Sequence, residues 1–257
     1  MACKIESPKD RLIVAADYDP NKEGGIKGVR TKVLSLAETL KGMGVYIKVN
    51  SILRACGYDL ITQLHDLGLR VMADLKLVDI PATMKIDGQL LAEFKPELVT
   101  VMANAGIEGM SAISQILPDS EILAVTILTS LDEDECQQIF CCSTKAGVVR
   151  FARMAQLANC GGLVLSPKEV EVVRKRKDIH LSVNTPAIRP WWSFVEGDDQ
   201  KRTGTPEEVI LAGGDRMVIG RPITQAPDPR EAVQKTLDEI QVALEKKAKQ
   251  EEEKSKK

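Results

Sequence analysis

Three residues within one short stretch, Asp74, Lys76 and Asp79, have the types and spacing for chemistry on charged groups. Residues 71–83 begin apolar and end charged. Positions two apart on a strand share a face, so Asp74 and Lys76 point together while Leu75 points away. Asp79 follows where the strand ends. Ile80-Pro81 then starts a new element, because proline fixes its own φ and suits the first turn of a helix. An acid, a base and a second acid thus gather at the end of a buried strand. Burying such charges singly is costly, so they must be paired with one another or with a ligand. Taken alone, the stretch fits a salt-bridged strand end as well as a functional one. Lys48 shifts that balance. It lies inside the otherwise apolar run 45–49, where a lysine is seldom tolerated unless paired. With adjacent strands ~4.8 Å apart, it can reach Asp74. Such alternating ammonium and carboxylate groups can stabilise negative charge developing on a bound molecule and then quench it with a proton.

The elements that must hold these residues repeat along the chain. Apolar runs at 12–16, 45–49, from Val71, 98–102, 122–128, 162–165, 179–183 and 217–219 read as strands. Helical patterns follow them at 27–42, 53–67, 80–94, 108–117, 145–159 (after an acidic turn at 132–135), from Pro167, from Thr205-Pro206, and from Asp228 past Leu244. Eight β-then-α units, with strands apolar on both faces, predict a closed (β/α)₈ TIM barrel of the α/β class. A doubly wound open sheet is the rival, but it has no need of eight units. The reading is a single domain over residues 1–245 and a charged tail, 246–257, as a solvated helix end.

Composition is that of a soluble globular protein: 257 residues, 44% hydrophobic, 28% charged, net charge −2. Lys and Arg are spread along the chain, which argues against a nucleic-acid or membrane surface. Six cysteines without a C-x-x-C pair, and two histidines in all, make a zinc site unexpected. The thiols read as reduced, several of them core fillers, in a cytoplasmic protein without a secretory leader or a membrane span. His65 and His180 read as structural.

In a barrel of this kind chemistry sits at the C-terminal ends of the strands. There the sequence places Asp17, Lys48, Asp74, Lys76, Asp79, Thr129, Ser130 and Gly220-Arg221. The loop after strand seven adds Arg189, Gln200, Lys201 and Arg202. Phosphate sites of such barrels are built from the loops after strands seven and eight. There a glycine lets a backbone N–H approach and an arginine grips bidentately. Lys201 and Arg202 read as ordinary solvated loop residues. Trp191 and Trp192 fit either a lid or a packing role.

With these residues in hand, the chain resembles the orotidine 5′-monophosphate decarboxylase family of the free-standing microbial type. Asp74-Leu75-Lys76-Leu77-Val78-Asp79-Ile80-Pro81-Ala82-Thr83 is similar to the family pattern D-x-K-x-x-D-I-P-x-T. The first part is shared with related sugar-phosphate lyases; the Ile-Pro-x-Thr continuation is more specific. Further matches follow in the family's order: Val125-Thr126-Ile127-Leu128-Thr129-Ser130, Thr185-Pro186-Ala187-Ile188-Arg189-Pro190, Gly197-Asp198-Asp199-Gln200 and Val218-Ile219-Gly220-Arg221-Pro222. The chain departs from the pattern at Ala187, where the family usually has glycine, and at Met102, Val78 and Asn184.

The resemblance implies decarboxylation of orotidine 5′-monophosphate without a metal or organic cofactor. It implies a homodimer with shared sites: Lys48, Asp74 and Lys76 from one subunit, Asp79 and Thr83 reaching into the neighbour's site. Lys76 would protonate C6 of the pyrimidine. Lys48 and Asp17 would hold the ribose hydroxyls, and Thr129 the pyrimidine edge. Arg189, Gln200 and the Gly220 N–H with Arg221 would hold the phosphate, under a lid formed by 187–204. The alternatives are a sugar-phosphate lyase on the same barrel and a non-catalytic nucleotide binder.

Overall fold

The computed structural model describes residues 4–193 and 203–255. Eight parallel strands close into a barrel in sequence order. They are β1 (Leu12–Ala15), β2 (Tyr46–Val49), β3 (Arg70–Leu77), β4 (Leu98–Met102), β5 (Glu121–Val125), β6 (Gly162–Val164), β7 (Ser182–Thr185) and β8 (Arg216–Ile219). Closure is made by β8 on β1, with Leu12 opposite Met217 and Val14 opposite Ile219. The helices between them are α1 (Pro20–Glu23), α2 (Gly25–Leu40), α3 (Ser51–Cys56), α4 (Asp59–Asp66), α5 (Pro81–Ala92) and α6 (Gly106–Ile116). They continue as α7 (Glu133–Phe140), α8 (Thr144–Leu157), α9 (Val170–Arg174), α10 (Pro206–Ala212), α11 (Arg221–Thr224) and α12 (Pro229–Ser255). Among the described residues no helix is long and apolar enough to cross a membrane.

The predicted barrel is the observed one, and its local departures have physical causes. The helix expected over 53–67 is two helices, because Gly57 takes φ 83° and ends α3 before α4 begins. The acidic turn is itself a helix, α7, started by a capping box between Asp132 and Glu135. The run 122–128 outlasts its strand. β5 ends at Val125, the Thr126 N–H and hydroxyl both donate to the Val164 carbonyl at 3.0 Å, and the chain then turns across the barrel mouth. The run 179–183 precedes its strand. Ile179 and Leu181 are buried at the entrance, but pairing starts at Ser182 and continues to Thr185. The charged tail continues α12 as an exposed helix to Ser255.

The larger core lies between the strands and the surrounding helices; Val29, Val33, Leu36, Ala37 and Leu40 of α2 belong to it at helical spacing. A smaller apolar layer fills the barrel itself, with Ile13, Ala15, Tyr46, Met72, Leu98, Leu123 and Val218. Gly162 is required there, since a Cβ would meet the Ser182 hydroxyl at 2.1 Å. Both ends of the barrel interior are polar. At the N-terminal end Arg216 and Glu121 pair at 2.8 Å. At the C-terminal end lie the charged residues singled out above.

Candidate active site

A cavity of about 400 Å³ opens at the C-terminal ends of the strands. Inward alternation along β2 turns Lys48 into it, one step above Tyr46. The Lys48 Nζ donates to both Asp17 oxygens, at 3.0 and 2.8 Å, and to Asp74 Oδ2 at 3.1 Å. The Lys76 Nζ donates to the same Asp74 Oδ2 at 2.7 Å. The Thr100 hydroxyl, from β4, donates to Asp74 Oδ1 at 2.9 Å. Asp17, Lys48, Asp74 and Lys76 thus form one chain of alternating charge. Its middle is buried and its ends are open: side-chain exposure is 7% for Lys48 and for Asp74, 35% for Lys76 and 45% for Asp17.

The electrostatics favour full ionisation of the buried pair. Burial alone would push the Lys48 ammonium down, but the Asp74 and Asp17 carboxylates outweigh it and hold Lys48 above its ordinary value. Burial alone would push Asp74 up, but Lys48 and Lys76 outweigh it and hold the carboxyl below the usual carboxylate range. Each charge answers the desolvation of the other, and Lys76 is left facing the cavity.

Arg189, Gly220 and Arg221 line the same cavity. Arg189 is placed by its backbone: its N–H donates to the Gly204 carbonyl at 2.9 Å, and Ile188 bridges to Gly204. Thr129 also lines the cavity, on the segment beyond β5. Gln200, Lys201 and Arg202 lie outside the described residues. The two tryptophans differ. Trp192 packs against the larger core, whereas Trp191 is exposed and its N–H donates to Glu239 Oε2 at 3.2 Å.

Asp79 and Thr83 do not join the charged chain within one molecule. Asp79 is exposed beyond β3, where its Oδ1 accepts from the Ile80 N–H at 2.7 Å, and Thr83 is half-buried on the first turn of α5. Around them Val78, Ile80 and Ile86 are exposed. Sequence reasoning missed Asn50, which lines the cavity just past β2, and Thr100. Both carried a usable signal. Asn50 is polar at a strand end, like Asp17, and Thr100 is polar inside an apolar strand, like Lys48. Among the described residues no group of three or more His, Cys, Asp or Glu is placed to hold a metal ion.

The chain matches the family model described as "Orotidine 5'-phosphate decarboxylase / HUMPS family" over residues 10–236. The chain belongs to this family. It is 32% identical over 246 residues to an orotidine 5'-phosphate decarboxylase of Syntrophomonas wolfei subsp. wolfei, covering 91% of this chain and 98% of that one. It is 37% identical over 213 residues to that of Geobacter sulfurreducens, covering 79% and 88%. Among solved structures, orotidine 5'-phosphate decarboxylase from Lactobacillus acidophilus superposes with a TM-score of 0.74 at 29% identity, covering 90% of this chain and 99% of that one.

Against the family pattern stated above, the departure at Ala187 has a backbone consequence. Ala187 lines the cavity with φ 61°, in the left-handed region that glycine occupies freely and other L-residues resist. Ala187→Gly is therefore expected to raise stability by about 0.5–1 kcal/mol, the relief of strain exceeding the added freedom of the unfolded chain. Ala187→Val is expected to lower it. Thermal melts of the two variants check both signs.

Proposed function

We propose that the protein converts orotidine 5′-monophosphate to uridine 5′-monophosphate and carbon dioxide, the last step of de novo pyrimidine nucleotide synthesis, as a cytoplasmic, cofactor-free enzyme. The observation that carries this reading is the Asp17–Lys48–Asp74–Lys76 chain in one cavity with Arg189, Gly220 and Arg221. In the reaction the bond from C6 to the carboxylate breaks and its electron pair stays on C6. The Lys76 ammonium stabilises that charge and then gives C6 a proton. Asp74 lies beside the departing carboxylate. Two such charges repel by about 4 kcal/mol at ~4 Å with an effective dielectric of 20, and loss of carbon dioxide relieves this. Arg189, Gln200, the Gly220 N–H and Arg221 hold the remote phosphate. Its binding energy orients the ring between Thr129 and the charged chain; of the lid expected over 187–204, residues 194–202 lie outside the described residues. Asp17 and Lys48 hold the ribose hydroxyls.

The sugar-phosphate lyase alternative shares the D-x-K-x-x-D residues. A Schiff-base version needs the lysine nitrogen free to attack a carbonyl, whereas the Lys76 Nζ donates to Asp74 Oδ2 at 2.7 Å. The names of the curated relatives also favour the decarboxylase. The direct test follows the loss of orotidine 5′-monophosphate absorbance with purified protein, in excess EDTA and with borohydride present. Full activity and no covalent adduct support the reading. Absence of turnover with tight uridine 5′-monophosphate binding would leave a nucleotide binder.

The enzyme works as a homodimer in this reading, with Asp79 and Thr83 completing the neighbour's site. The exposed Val78, Ile80 and Ile86 beside them supply an apolar surface suited to burial against a second copy. Mixing inactive Lys76→Ala and Asp79→Ala proteins in equal amounts should restore about a quarter of wild-type activity: half the dimers are hybrids, each with one of two sites complete. If subunits exchange and the mixture stays inactive, the shared site is wrong.

A further inference from the structure

Lys76 does not occupy a regular strand position. Its φ is 50°, a left-handed conformation that a lysine keeps only when its surroundings impose it. The β3–β4 ladder shows where this happens. Ala73 pairs with Val99 and Leu77 with Val101, so four steps along β3 run beside two along β4. The surplus is a bulge that carries Lys76, and bulges re-aim side chains. It leaves the Leu75–Lys76 peptide outside the ladder, and both of its polar ends are taken by side chains. The Lys76 N–H donates to Thr100 Oγ1 at 2.9 Å, and the Leu75 carbonyl accepts from the Arg54 guanidinium. The same Thr100 hydroxyl donates its own hydrogen to Asp74 Oδ1. Thr100 is fully buried.

We propose that Thr100 is a positioning residue for the decarboxylation. One hydroxyl accepts from the lysine backbone and donates to the aspartate side chain, and so sets the geometry between the ammonium and the carboxylate that flank the reacting carbon. Arg54 grips the opposite end of the same peptide from α3. A hydroxyl suits this double duty because it is both donor and acceptor, which valine of nearly the same shape is not. Without the hydroxyl the bulge has no partner for its N–H, and the lysine relaxes towards ordinary strand geometry, away from its aim. The inference rests on the catalytic role of Lys76 proposed above.

The test measures kcat, KM and the dissociation constant of uridine 5′-monophosphate for four variants. Thr100→Val is expected to lower kcat by about 100-fold, the effect of misplacing a reacting group by about 1 Å. KM and nucleotide binding should stay within about threefold, because groups elsewhere hold the ligand. Thr100→Ser, which keeps both hydrogen bonds, should recover most of the kcat. The acid limb of the Thr100→Val pH profile should move to higher pH, since Asp74 loses a donor that favours its ionised form. Arg54→Met, at an exposed position, should lower kcat by about threefold to tenfold with KM unchanged. A folded Thr100→Val protein with wild-type kcat and pH profile overturns the proposal, as does an Arg54→Met protein with unaltered kcat. The fourth variant, Lys76→Ala, separates the two levels. Turnover retained there removes the catalytic reading itself. Turnover lost there but kept in Thr100→Val removes only the positioning claim.

Discussion

Lys76→Ala is expected to lower decarboxylation by at least about 10⁴-fold while uridine 5′-monophosphate still binds. The size follows from two duties resting on one group. A positioned general acid contributes about 10²–10⁴-fold, and a preorganised charge at the site of developing negative charge about 10²–10³-fold. Lys48 cannot substitute. Its ammonium bonds both Asp17 and Asp74 and its side chain is 7% exposed, whereas Lys76 lines the cavity and, among the described residues, bonds one carboxylate, Asp74. Product binding should survive because the residues proposed to hold the phosphate, Arg189, Gly220 and Arg221, lie on the segments that follow β7 and β8, which the substitution leaves untouched. Asp74 also retains Lys48, so no orphan charge is created. Calorimetric titration with uridine 5′-monophosphate, beside the absorbance assay, checks both halves. A kcat within tenfold of wild type would remove Lys76 from the chemistry.

What the sequence makes legible, and what it hides, follows from the range of the forces involved. Lys48 and Asp74 could be read because a charge inside an apolar strand needs a partner, and neighbouring strands of a closed barrel supply few candidates. The barrel could be read because eight buried strands leave eight apolar runs. The left-handed backbone at Lys76 was hidden: the Thr100 hydroxyl that accepts from its N–H lies on the neighbouring strand, 24 residues further along the chain. β7 was misplaced for a related reason. Its inward residues Ser182 and Asn184 are polar, so the apolar run starts three residues early, with Ile179 and Leu181 buried but outside the strand. Their polarity serves Arg216, which bonds Asn184 Oδ1 at 3.2 Å and pairs with Glu121, 95 residues away. Asp79 and Thr83 lie at the rim of the molecule, outside the charged chain.

That buried pair leads to the second large effect, on stability. Arg216→Met is expected to destabilise the protein by about 3–5 kcal/mol. Both partners have no exposed side-chain surface. The guanidinium meets Glu121 through two bonds, at 2.8 and 3.1 Å, and Ser182 donates to the same carboxylate. Tyr46 closes the layer, its ring 5.6 Å from the Arg216 Cζ. Removing the arginine alone takes away the guanidinium that meets the buried Glu121 carboxylate through two bonds, and the desolvation this carboxylate already suffered is less fully offset. The double variant Arg216→Met with Glu121→Leu should recover most of the loss, because replacing a whole buried pair by apolar groups of similar volume is close to neutral. Urea denaturation of the two single variants and the double variant gives the coupling between them. The same proteins test the division of labour within the barrel. Arg216 and Glu121 lie at the end opposite the cavity, so kcat per folded molecule should be unchanged while the denaturation midpoint falls. A single variant costing less than about 1 kcal/mol would mean that water reaches this end of the barrel and screens the pair.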